Sequence, residues 1–144
     1  VPDHRRPALA PVVPDLRAVL RRVAYCLALL NLGGGTTYLF GGPAGAPSLR
    51  VLLDVIPLPA WAAALATAGL LGAVAPRLRR LEQRAYVVAY LLGTLAWGGY
   101  AVSSWVSLFD GTLLGATGPW TTTGLALLHL NALHWRNLDR LAGR

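Results

Sequence analysis

The chain has 144 residues, of which 55% are apolar and 13% charged, with a mean hydropathy of +0.50. A soluble domain carries about 25% charged residues, and spans of about 20 residues each would use most of this length, so a sizeable soluble domain is excluded. The net charge of +7 sets thirteen arginines, with no lysine, against six acidic residues. The arginines gather at the ends of apolar runs and do not build the concentrated basic face that nucleic acid needs, so no nucleic-acid partner is expected.

Residues 1–21 form a tail rich in proline and arginine. Pro2, Pro7, Pro11 and Pro14 break it up, and no small-residue cleavage site follows a short apolar core, so no signal peptide is predicted and the first span is expected to be retained. Asp15 is predicted to cap a helix that runs on into the first apolar stretch, residues 23–40. The single cysteine, Cys26, lies in that stretch. It cannot form an internal disulfide or a cysteine-based metal site and is expected to be a small buried residue. Residues 41–47 are a breaker segment. Ser48 is predicted to cap a short helix through Val55, with Arg50 and Asp54 paired at i,i+4 and its apolar residues in the outer interface. The second stretch, 59–75, opens on Pro59-Ala60-Trp61; proline is tolerated in the first turn, where its missing N–H has no partner anyway. A short basic link precedes the third stretch, 86–108, so spans two and three should be antiparallel neighbours. Asp110-Gly111 signals a turn, and the fourth stretch, 119–135, opens on Pro119-Trp120.

Twelve of the thirteen arginines alternate with these stretches. Arg5, Arg6, Arg17, Arg21 and Arg22 precede the first, Arg77, Arg79, Arg80 and Arg84 separate the second and third, and Arg136, Arg140 and Arg144 follow the fourth; Arg50 alone lies in the other two connections. This is a positive-inside pattern. It predicts an all-α polytopic membrane protein with four transmembrane helices and both termini cytoplasmic, its inner face meeting anionic headgroups. The Gly, Ala, Pro and Arg usage resembles that of high-GC bacterial genomes, which points to a bacterial inner membrane. The whole chain, 1–144, reads as one membrane domain, with helical hairpins at 22–81 and 84–141. The halves look alike. Trp61 lies sixteen residues before Arg77, and Trp120 sixteen before Arg136. Both halves start inside, so the repeats would be parallel, related by an axis along the membrane normal.

Few residues could carry chemistry. No carboxylate lies near a span centre, which argues against a proton- or cation-coupled exporter. Asn31, His129, Asn131 and His134 are the candidate intramembrane polar contacts, expected to bond across helices. Thr123, Leu127, Asn131 and His134 share one helical face and His129 points elsewhere. Two histidines on one helix do not supply bis-histidine haem ligation, and no metal or other cofactor motif is present. Ser103, Ser104 and Ser107 lie in the outer half of span three and His129 in the inner half of span four, too far apart for a Ser–His pair; no enzyme is expected. Gly33, Gly34, Gly35, Ala64, Ala68, Gly72 and Gly93 are candidate helix-packing positions, where small residues let backbones approach. Trp61, Trp105, Trp120 and Trp135, with Tyr25 and Tyr86, read as interface anchors.

With its arginine-only basic loops, its Pro-x-Trp span start at 59–61, its basic link from Arg77 to Arg84 and its small soluble content, the chain resembles small four-span membrane proteins of actinobacterial phages, some of them classed as holins. The resemblance covers the whole chain. It implies a protein that oligomerises in the host inner membrane and permeabilises it. The other readings are a structural or accessory subunit of a larger membrane complex, with another membrane protein as partner, and a small transporter or channel using the His129–Asn131 region.

Overall fold

A chain this poor in charge must pair its own backbone groups, and the helix does so within one segment. A computed structural model describes residues 16–40 and 47–142, with residues 16, 17, 79 and 136–142 described by their backbone alone. The four long helices are α1 (Leu16–Phe40), α3 (Leu58–Val74), α4 (Glu82–Phe109) and α5 (Thr117–Ala142). A 3-10 turn, Pro47–Leu49, leads into the short α2 (Arg50–Leu53), and two more turns, Ala75–Arg77 and Arg79–Leu81, join α3 to α4. Among the described residues there is no strand. Three segments, Ala18–Phe40, Leu58–Arg77 and Glu82–Phe109, are long and apolar enough to cross a membrane. The 26-residue α5 is not among them; Thr121, Thr122, Thr123, His129, Asn131 and His134 dilute its apolar character. The tail 1–15 with its Asp15 cap, and residues 41–46, lie outside the described residues.

Neighbours in sequence pack as neighbours in space: α1 on α3, α3 on α4 and α4 on α5, with α1 and α5 also in contact. The α1–α3 seam is set by two glycines used reciprocally. Gly35 of α1 lies on the backbone of Ala66, and a Cβ there would stand 2.8 Å from the Ala62 carbonyl oxygen. Gly69 of α3 lies on the backbone of Leu32, and a Cβ there would stand 2.7 Å from the Ala28 carbonyl oxygen. Such distances leave no room for a side chain, so the two backbones touch directly. Gly72 adds contact with the Ala28 methyl. Of the other expected packing residues, Ala68 is buried, Ala64 is half-buried, Gly34 faces the Trp97 ring, and Gly33 faces open space.

Helix α4 carries the central seam. Tyr86, Tyr90, Gly93, Trp97, Tyr100, Ser104 and Ser107 follow one another at alternating four- and three-residue steps, the spacing that keeps one helix face on its partners. The serines fasten the α2 segment across the end of the bundle: the Ser107 hydroxyl donates to the Pro47 carbonyl at 2.6 Å, and Ser103 Oγ accepts the Leu52 N–H at 3.1 Å. Leu49 and Leu52 are buried beneath. The expected Ser48 cap does not form. Its hydroxyl lies 3.1 Å from the Tyr100 hydroxyl, and α2 spans only four residues. Just past the serines of α4, where that helix ends, Gly111 takes φ +77°, a left-handed conformation that only glycine adopts cheaply. Asp110 beside it accepts the Thr112 hydroxyl at 2.6 Å and the Thr112 N–H at 3.0 Å. These two bonds hold its carboxyl below the usual range, with help from the Arg50 charge.

The aromatic residues depart from their expected places. Trp61 is only 2% exposed: its Nε1–H donates to the Ala96 carbonyl at 3.1 Å, and its ring meets Tyr38 and Tyr100 edge-on. Tyr86 is buried and stacks on Tyr90. Trp105 is half-buried, donating to Thr123 Oγ1 at 3.0 Å. Trp120, Trp135 and Tyr25 are exposed. Cys26 is exposed, not buried, because the buried face of α1 runs through Ala24, Leu27, Ala28 and Asn31.

Replacing Gly35 or Gly69 by alanine should cost about 1–3 kcal/mol, since the added methyl meets backbone that cannot swing away. Gly33→Ala, facing open space, should be neutral or stabilising by up to about 1 kcal/mol. Reversible unfolding in detergent micelles measures all three, and equal effects at Gly33 and Gly35 would disprove the direct backbone contact.

Candidate functional site

At one position the ring-bearing seam of α4 has no side chain. A Cβ on Gly93 would collide with the imidazole of His129, standing 2.6 Å from Nε2, and would lie 3.1 Å from the amide nitrogen of Asn31. The glycine is therefore a notch into which α5 sends a histidine and α1 an asparagine. Both side chains are buried, His129 completely.

The three polar groups at the notch form one directed chain. Trp97 Nε1–H donates to Asn31 Oδ1 at 2.8 Å, Asn31 Nδ2 lies 2.9 Å from His129 Nε2, and His129 Nδ1 lies 2.7 Å from the Leu125 carbonyl oxygen. The proton positions follow from what each group can do. An indole only donates, so the amide oxygen must face Trp97. The amide nitrogen only donates, so Nε2 must accept. The Leu125 carbonyl only accepts, so Nδ1 carries the hydrogen. His129 is thereby neutral and in the Nδ1–H form, and the chain runs from Trp97 through Asn31 and His129 to the backbone of α5. Proton uptake at Nε2 would set two donors against each other. Turning the amide over would only move the conflict to Trp97.

Rings extend the chain both ways. Tyr90 meets the imidazole edge-on at 6.4 Å between centroids and stacks on Tyr86 at 5.8 Å. Trp97 stacks on Tyr100 at 6.1 Å, and Tyr100 meets Trp61 at 5.7 Å. A file of aromatic rings thus runs through the interior among its leucines and alanines, with a hydrogen-bonded junction at the middle.

The four polar candidates separate. Asn31 and His129 come together. Asn131 and His134 are exposed on the opposite side of α5. Residues 129 and 131 are two apart, a turn of about 200°, so the pairing of His129 with Asn131 does not occur. Sequence reasoning missed Trp97 as the donor that orients Asn31. The signal that could have found it is the spacing of Tyr86, Tyr90, Trp97 and Tyr100, with glycine at the one vacant step. Among the described residues no group of three or more His, Cys, Asp or Glu side chains could hold a metal ion. Threonine hydroxyls mostly return to their own helix, as Thr94 does to the Tyr90 carbonyl at 2.8 Å and Thr121 to that of Thr117 at 2.7 Å. Compared with family models, with curated proteins and with solved structures, the chain matches none.

Asn31→Leu leaves the Trp97 N–H and His129 Nε2 unpaired and should cost about 1–3 kcal/mol. Asn31→Leu combined with His129→Leu should cost less than the two single changes added, measured by reversible unfolding in detergent. Nitrogen chemical shifts of labelled His129 at neutral pH should show Nδ1 protonated and Nε2 bare; the opposite tautomer would sink the chain as drawn.

Proposed function

We propose that the chain is a non-enzymatic, four-span protein of a bacterial inner membrane, with both termini inside, that works as a self-associating assembly and permeabilises the membrane in the manner of a holin. The observation that carries this reading is the division of polar residues on α5. His129 faces inward and is fully used by Asn31 and Leu125. Asn131 and His134 face outward, where no described residue of the same copy pairs with them. Polar side chains on a spanning helix turn toward protein or water, and an assembly supplies one or the other. The arginine pattern favours the orientation, and the exposed apolar surface of α1, α3 and α4 suits contact with lipid.

A second reading is supported by the junction itself. The polar groups of the junction at Gly93 are spent on one another, which favours an accessory subunit that lends packing surface to a larger complex. Transport through a single bundle, with His129 and Asn131 acting together, has little support, since they lie on different faces.

Topology is tested with single cysteines in a Cys26→Ala background. Arg80→Cys should react with an impermeant reagent only after the cells are opened, and Thr112→Cys in intact spheroplasts; the reverse pattern would invert the orientation. Function is tested by following membrane potential with a voltage-sensitive dye after induced expression. Abrupt collapse, with lysis when an endolysin is supplied, is the expected result. Unchanged potential, with the protein verified in the inner membrane, would replace the permeabilising reading by the accessory one.

A further inference from the structure

The outward face of α5 carries a repeat of its own, beside the inward row of Thr122, Leu125, His129 and Ala132. Thr117, Trp120, Gly124, Leu127, Asn131 and His134 follow one another at alternating three- and four-residue steps. That is the a/d spacing of a two-helix seam. Trp120 is 65% exposed and Leu127 52% exposed, Thr117, Asn131 and His134 are exposed, and a Cβ on Gly124 would meet nothing within 4 Å. Within one copy Trp120 meets Trp105 of α4 edge-on at 5.1 Å between ring centroids, and Gly124, Leu127, Asn131 and His134 have no partner among the described residues, while Thr122, His129 and Ala132 on the other side are buried.

We propose that a second copy of this chain covers this face, α5 against α5 in parallel, with Asn131 bonded to Asn131 of the partner subunit. Asn131 decides what the occupant is. It lies about 18 Å along the helix from Pro119 and about 3 Å from the depth of the Asn31–His129 junction, at 1.5 Å per residue, so on the four-span reading it sits within hydrocarbon. Lipid tails offer an amide no hydrogen bond. A primary amide carries both a donor and an acceptor, so its own copy is its complement. A two-fold axis along the membrane normal is the symmetry that brings identical residues of identically oriented chains together at one depth. An asparagine at an a position specifies register and the number of strands in parallel helix pairs. One heptad away, Gly124 lets the two backbones approach, and Leu127 between them supplies the apolar knob. The Asn131 pair therefore fixes which residues meet, and the glycine sets how closely.

The interface rests on the reading of α5 as a span, and its test is separate from that of permeabilisation. In a Cys26→Ala background, Leu127→Cys should form disulfide-linked dimers in native membranes, whereas Leu95→Cys, 71% exposed on α4, should not. Asn131→Leu should weaken dimerisation about five- to tenfold, the scale of two interhelical hydrogen bonds, and Asn131→Gln, which keeps the amide, should restore most of it. Energy transfer between labelled copies diluted in vesicles measures this, and an unchanged unfolding midpoint of the monomer shows that Asn131→Leu still folds. Equal cross-linking from Leu127→Cys and Leu95→Cys, or full dimerisation of a folded Asn131→Leu, overturns the proposal. Dimers that form through this face without any loss of membrane potential remove the permeabilising reading and leave the interface standing. Loss of potential by a protein that does not cross-link at Leu127→Cys does the reverse.

Discussion

The direction of one hydrogen-bonded chain constrains most of this bundle. Asn31 stands between a group that can only donate and a ring that must accept, and it can satisfy both in a single orientation. The three residues come from α1, α4 and α5, so satisfying the amide fixes the axial register and rotation of three helices at once. A slip of one residue on any of them would bury an unpaired polar group, at about 1–3 kcal/mol each. Rings and methyls alone tolerate many arrangements of similar energy; the polar junction selects one. Gly93 is the condition for it, because any side chain there would occupy the space of the imidazole.

The fourth helix is held by a different rule. α3 adds no polar group to the junction. It is fixed by Gly35 and Gly69, each pressed against the backbone of the opposite helix. The bundle therefore combines two kinds of specificity. Backbone contact sets α3 against α1 through what is missing from two side chains, and a directed polar chain sets α1, α4 and α5 through what is present. Trp61 bridges the two, since it belongs to α3 and bonds to the Ala96 carbonyl of α4.

Some helix ends were legible in the sequence; much of the azimuth was not. Pro59 lies in the first turn of α3, and Asp110-Gly111 ends α4, because proline and glycine act through the local backbone and need no tertiary information. Composition likewise marked the helical, span-length segments from Ala18 to Phe40, Leu58 to Arg77 and Glu82 to Phe109. The fourth stretch, 119–135, was also read as a span, and α5 is not among the segments apolar enough to cross. Which way a residue faces depends on the neighbouring helices. Tryptophan and tyrosine suit an interface or a core equally well, so Trp61 and Tyr86 were read as anchors although partners waited for them inside. His129 and Asn131 lie close along α5 and on nearly opposite sides, and helical spacing had already set His129 apart from the face of Leu127, Asn131 and His134. The serines of α4 were legible as polar residues near one end, but their task of holding the α2 backbone depends on a segment more than fifty residues earlier.

The junction at Gly93 also bears on the order in which the chain is made. On the four-span reading, α1, α3 and α4 leave the ribosome before α5. Until α5 arrives, the Asn31 amide has Trp97 for its oxygen and nothing from α5 for its nitrogen. The last helix is also the least apolar of the long four, so partitioning into lipid drives it in only weakly. Its entry is then better described as ligand binding within the bilayer. A three-helix receptor presents an unfilled donor beside a glycine notch, and α5 brings the acceptor that fills it. Biogenesis of the bundle becomes sequential, with the first three helices acting as the template for the fourth.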